Sequence, residues 1–276
     1  IMTIEIGRGL AEARALAGAH WQALLVYAAL GVVFPFLLLS SDPIFSLRNI
    51  MAIVSDPWTN RVGGSITGPL YLLGIVLVIV FGAMLAAWNA LLAEMREGYI
   101  SEIMYGMVAG VAYLLAYLLL YLVVALVLVL PVMLAVGVNE WAAASPAVSS
   151  IRQLVYSLIG SWLLARFCLV GPIMAAGGRL EPFSPYVESW QRTASAQWWL
   201  FGFFLLYNLA FGIAFGGLAV VHGMVIINNA PGSLIETMMS VAWVLLLGTY
   251  FIGQLLVPAG LYRASQPGAT AAEVFA

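Results

Sequence analysis

The sequence predicts an all-α, polytopic membrane protein with six transmembrane helices, and three observations carry that expectation. Six long apolar stretches run through the 276 residues, at 21–40, 68–92, 107–136, 150–177, 198–222 and 234–261. Each is long enough to cross a hydrocarbon core, which takes about 20 apolar residues in a helix. Hydrophobic residues make up 64% of the chain and charged residues 8%, where a soluble domain carries about 25% charged residues. The longest segment between stretches, 41–67, is too short to bury a core of its own. Residues 1–276 therefore read as a single integral membrane domain.

Taken in order, the first stretch follows a small and polar segment without a short apolar core ending in a cleavage site. It is expected to be a retained anchor rather than a removed signal peptide. The segment before it places Leu10, Ala13 and Ala17 at helical spacing. In the loop that follows, Pro43, Pro57, Trp58 and Gly63-Gly64 punctuate an apolar middle, 44–54, expected to lie on the outer membrane surface. Ahead of the third stretch, Tyr99, Ile100, Ile103 and Met107 form an apolar helical face. Glu94, Arg96, Glu97 and Glu102 there read as a solvated polar face. Ser150 and Gln153 have capping-box spacing at the start of the fourth stretch, as do Ser233 and Glu236 at the sixth, after Pro231-Gly232.

A third amphipathic segment precedes the fifth stretch. Ser184 suits an N-cap and Pro185 the first helical position. Tyr186, Val187, Trp190 and Ala194 share one face. Glu188, Gln191, Arg192 and Ser195 share the other, with Glu188 and Arg192 at i,i+4. Such a helix is expected to lie in the interface, its aromatics among headgroups. Ala17-Gly18-Ala19-His20-Trp21 also matches Ala194-Ser195-Ala196-Gln197-Trp198 in size and polarity. The chain thus reads as three pseudo-repeat units, about 1–93, 94–180 and 181–276, each a surface helix plus a transmembrane hairpin. Gly106-x-x-x-Gly110 and Gly212-x-x-x-Gly216 suit close helix packing, within the chain or across a homo-oligomer seam.

Charge narrows the function. All ten basic residues are arginine and the net charge is −2, so there is no basic face for nucleic acid. Arg8, Arg14, Arg96, Arg179, Arg192 and Arg263 fall on one side of the six-span topology and Arg48, Arg61 and Arg152 on the other. The positive-inside rule then puts both termini in the cytoplasm. His20 and His222 lie at opposite faces, so they cannot share a metal, and no haem or zinc spacing exists. No cofactor is expected. Cys168 reads as a small buried apolar residue, and His222 as a residue snorkelling to water at the end of the fifth span. Nucleophile elbows, phosphate loops and convergent carboxylates are missing from the sequence, so a non-enzyme is expected.

Arg166 is the one charge deep within a span. Two readings stand. It snorkels or hydrogen-bonds structurally where Gly171-Pro172 ends the regular helix, with Asn89 and freed carbonyls in reach; or it contacts a lipid phosphate or substrate. Polar groups near mid-membrane are otherwise few: Asn208, Gln254, Ser157 and Ser161.

Arg166-x-x-Leu169-x-x-Pro172, followed by Ser189-Trp190-x-x-Thr193 and Trp198-Trp199, resembles the bacterial YciC-type inner-membrane proteins. It is similar too to the membrane domain attached to some glycerophosphodiester phosphodiesterases, whose catalytic domain has no counterpart here. The resemblance is sharpest over 160–205, with a looser echo at Arg96-Glu97-Gly98. Ala194-Ser195 stand where the family carries a basic residue or glycine. The resemblance implies a multi-pass helical module of the bacterial inner membrane. The leading expectation is a non-enzymatic protein engaging phospholipids or a membrane-protein partner. Arg166, Arg192, Trp190, Thr193 and Arg96 are the candidate contacts. The alternatives are a small-solute transporter or channel, and an accessory subunit of a larger complex.

Overall fold

A backbone in hydrocarbon has no water to bond, so each apolar stretch must satisfy its own N–H and C=O groups, and the helix does this within one segment. The computed structural model describes residues 5–42, 45, 67–94, 98–136, 146–230 and 232–266. These are helical almost throughout, with no strand among the described residues. Six helical segments are long and apolar enough to cross a membrane: Trp21–Ser40, Pro69–Leu92, Tyr99–Val127, Leu154–Ala176, Phe183–Asn228 and Leu234–Ala264. The protein is an all-α, multi-pass membrane protein.

The elements are α1 (Ile6–Ala19), α2 (Trp21–Ala28), α3 (Phe34–Ser40), α4 (Thr67–Leu92), α5 (Tyr99–Val124), α6 (Leu130–Val136), α7 (Pro146–Phe167), α8 (Val170–Ala176), α9 (Phe183–Thr193), α10 (Gln197–Asn228) and α11 (Leu234–Ala264). Two spans contain a π-helical segment, Ala29–Val33 between α2 and α3 and Ala125–Val129 between α5 and α6. Each lies just before a proline, Pro35 or Pro131. Proline removes an N–H and pushes on the carbonyl four residues back, and a one-residue widening accommodates that loss.

Close backbone crossings hold the bundle. A Cβ on Gly106 would stand 2.3 Å from the Gly82 carbonyl oxygen, and one on Gly110 would stand 2.7 Å from Gly82 Cα. The Gly106-x-x-x-Gly110 pair is thus spent inside the chain, joining α4 to α5. At Gly212 and Gly216 a Cβ would meet nothing within 4 Å. A Cβ on Gly260 would lie 2.2 Å from the Gly9 oxygen, which seats α1 across the end of α11. The main core joins Tyr27, Leu85, Trp88, Val170, Met174 and Leu255; a second gathers Leu169, Ile173, Leu200 and Phe204 around α7, α8 and α10. Outward faces stay apolar, as Ile100, Ile227 and Leu234 illustrate.

Several expectations change. A bend at His20 separates α1 from α2, and the 3-10 turn Ala194–Ala196 separates α9 from α10. Ahead of the third span, however, α5 is one unbroken helix from Tyr99, because no proline or turn residue interrupts it. Glu102 is buried there and accepts the Tyr27 hydroxyl, so it belongs to no solvated face. The helix of the fourth span, α7, starts at Pro146, leaving Ser150 inside it instead of capping it. Ser233 does cap α11, accepting from Glu236 N at 3.4 Å, while the Glu236 carboxylate takes the Gly232 N–H at 2.7 Å. The fifth span continues to Asn228. His222 is fully buried within it, its Nδ1 accepting from Trp243 Nε1 at 2.9 Å, so a neighbouring helix replaces water as its partner. Apart from Phe45, the 44–54 segment falls outside the described residues, as does Pro231.

Candidate functional site at the junction of α7 and α9

The fourth span breaks at Cys168–Leu169, two residues before Gly171, and restarts at Val170 with Pro172 in its first turn. Proline tolerates that position because first-turn N–H groups lack helical partners anyway. The break interrupts the α-helical ladder beside Arg166, whose carbonyl oxygen takes a donor from another element. Ser189 Oγ donates to it at 2.8 Å. Thr193 Oγ1 lies 3.2 Å from the same oxygen and 2.8 Å from the Ser189 carbonyl. Ser189 and Thr193 are both fully buried. The Ser-Trp-x-x-Thr sequence therefore works as a clamp on the fourth span.

Between the clamp residues, Trp190 points to the other half of Arg166. The guanidinium carbon sits 3.8 Å from the Trp190 ring centroid, a close cation–π stack. Trp162, one turn before Arg166, meets Trp190 edge-on at 5.6 Å, and Phe167 packs on both Trp190 and Tyr186. Arg166 is 2% exposed, so its side chain is covered by the protein. Neither Asn89 nor a freed carbonyl satisfies its Nε and Nη1, which are buried without a hydrogen-bond partner. Asn89 is committed elsewhere, donating to the Ala175 carbonyl at 3.1 Å. The ring face replaces them, attracting the cation without accepting a conventional hydrogen bond.

Arg192 has other duties. Its Nη2 pairs with Glu188 at 2.6 Å, its Nη1 donates to Ser265 Oγ at 3.3 Å, and it faces the Tyr262 ring. Glu188 also pairs with Arg179 at 3.1 Å, so one carboxylate bridges two arginines and ties α9 to the segment after α8, while the Arg192–Ser265 bond ties it to the end of α11. Arg96 lies outside the described residues. Of the five candidate contacts, the fold thus unites Arg166, Trp190 and Thr193, and gives Arg192 a structural task.

The start of α9 differs from expectation by two residues. Helix begins at Phe183, and Glu181 caps it, accepting the Phe183 and Ser184 N–H groups at 3.0 and 3.2 Å and the Ser184 hydroxyl. These donors, the Ser184 hydroxyl foremost, hold the Glu181 carboxyl below its ordinary range. On α9 the small polar residues Ser189 and Thr193 face inward, while Phe183, Val187 and Trp190 are exposed. An apolar face turned outward is what a helix against lipid presents. Trp198 and Trp199, which are 68% and 78% exposed, extend it at the start of α10.

Cys168 is buried, with its thiol directed at the Ala165 carbonyl, as a packing residue would be. Among the described residues no cluster of three His, Cys, Asp or Glu side chains could hold a metal. Neither Glu102–Tyr27 nor the Glu181 cap was legible as such in the sequence, although an acidic residue within an apolar run was a signal for the first. No family model matches the chain, and no curated protein or solved structure is significantly similar to it.

Proposed function

We propose that this chain is a non-enzymatic protein of the bacterial inner membrane that engages an anionic phospholipid headgroup at the α7–α9 junction, with Arg166 as the contact. The observation that carries the reading is a buried guanidinium whose Nε and Nη1 have no acceptor. An arginine at a helix centre costs about 2.5–3.5 kcal/mol on insertion scales, and a lipid phosphate would supply the missing charge and acceptors. Trp190 covers the guanidinium and is itself 42% exposed, so its rotation would open the route from the bilayer. Outward Phe183, Val187 and Trp190 hold α9 against the lipid.

Two further parts of the proposal come from the sequence. Resemblance to the YciC-type proteins rests on Arg166, Leu169, Pro172, Ser189, Trp190 and Thr193. The arginine asymmetry favours cytoplasmic termini. Arg166→Leu tests the contact. Lipid extracted from purified wild-type protein should contain anionic phospholipid that the variant lacks, with the variant still folded. A lower Tm with unchanged anionic lipid would assign Arg166 a structural role and sink the headgroup reading.

A further inference from the structure

A second feature lies on the other side of α7. The face bearing Ser157, Ser161, Leu164 and Cys168 borders a partly open cavity of about 650 Å³ lined by residues of all six spans. Ligand cavities run from about 300 to 1,000 Å³. The four uncharged polar residues that the sequence scatters over three spans, Ser157, Ser161, Asn208 and Gln254, all line this one space. Asn208 Nδ2 donates to Ser161 Oγ at 3.3 Å. Gln254 Nε2 is buried beside the Tyr250 hydroxyl, but no acceptor meets it at full hydrogen-bond distance and angle, so at least one of its two N–H bonds is left over. The remaining wall is aliphatic and aromatic, with Tyr113, Tyr117 and Tyr250 prominent, and no Asp, Glu, Lys, Arg or His is among the described lining residues.

We propose that this cavity binds an uncharged lipid carrying a carbonyl group. A buried amide N–H without an acceptor costs free energy, and a carbonyl oxygen is the acceptor that satisfies it without adding charge. A lining with no charged side chain among the described residues suits neither an ion nor a charged headgroup. The apolar walls match a hydrocarbon chain, and the surrounding bilayer is the source of such molecules. Two lipid types share this chemistry: the acyl ester of a glycerolipid and the ring carbonyl of a quinone. The site is separate from Arg166, which does not line the cavity.

Gly160 lines the cavity, and a Cβ built there meets nothing within 4 Å. Gly160→Phe should therefore enter the cavity from a backbone position with room for a Cβ. Detergent-purified protein, stripped of lipid, is titrated separately with dioctanoylglycerol and with ubiquinone-2 while Tm is read. Wild type should show a saturable rise with one of them, which names the source. Gly160→Phe should abolish the rise, and Gln254→Leu should weaken binding about fivefold, the worth of one hydrogen bond. Should Gly160→Phe fail to fold, Gln254→Leu carries the test. Arg166→Leu should leave the rise unchanged, which keeps this outcome distinct from that of the headgroup contact. The proposal is overturned if neither probe gives a saturable shift and wild-type extracts hold no uncharged lipid, or if the shift survives in both cavity variants.

Discussion

The Ser189 hydroxyl donates to the backbone carbonyl of Arg166 across 2.8 Å, with both residues buried. One bond thus fastens α9 to the broken fourth span, and it holds Trp190 over the guanidinium. Leaving a buried acceptor unsatisfied costs about 1–3 kcal/mol. Ser189→Ala should destabilise by about the lower end of that range in thermal melts of detergent-solubilised protein, because Thr193 Oγ1 remains 3.2 Å from the same oxygen. Thr193→Val, which keeps the shape and whose hydroxyl proton is shared with the Ser189 carbonyl, should cost less. The reverse order would mean that Thr193 is the principal donor.

The Gly106–Gly82 approach leaves no room for a side chain, whereas Gly212 faces open space. Overpacking costs about 1–3 kcal/mol, so Gly106→Val should lower Tm and weaken the α4–α5 contact. Gly212→Ala should be neutral or add about 0.5–1 kcal/mol through helix propensity. A strongly destabilised Gly212→Ala would reveal a partner helix on that face.

Glu181 gives the fold an acid-sensitive helix start. Its folded pKa lies below the ordinary value of 4.5, chiefly because Ser184 donates to the carboxylate. A lowered pKa contributes stability that is fully present above pH 4.5 and lost as the pH falls through the folded value. Wild type should lose Tm below pH 4.5 more steeply than Glu181→Gln, because the variant has no carboxylate to protonate. Parallel pH profiles would remove the cap from the stability of α9. The fully exposed setting keeps the expected difference small.

Orientation is open to direct labelling. With Cys168 replaced by Ala, a cysteine at exposed Gln191 should be protected from a membrane-impermeant reagent in intact cells. One at exposed Asn228, at the far end of α10, should react. The opposite pattern would invert the topology.

Much of the fold was legible because hydrocarbon permits so few solutions. Apolar length located all six spans, and Ser233-x-x-Glu236 located the start of the last. The single intramembrane arginine was visible, and so was the Ser-Trp-x-x-Thr sequence that turned out to grip it. Their relation was not, because Ser189 Oγ and the Arg166 carbonyl are 23 residues apart and spacing on one helix carries no information about another. The setting of Glu102 is hidden for the same reason: an acidic residue near a helix start reads as solvated, and its partner Tyr27, which donates to it, is 75 residues away.

By itself the sequence determined the solvent, the helical class and the number of crossings, since these follow from local hydropathy and backbone bonding that each segment satisfies alone. Tertiary structure alone decided which polar groups find partners. It set Trp190 rather than Asn89 against Arg166, buried His222 on Trp243, and brought Ser157, Ser161, Asn208 and Gln254 around one cavity. Those outcomes depend on how helices rotate and where they break, and that is set by close packing at Gly82, Gly106, Gly260 and the Cys168–Leu169 break, which act between segments distant in the chain.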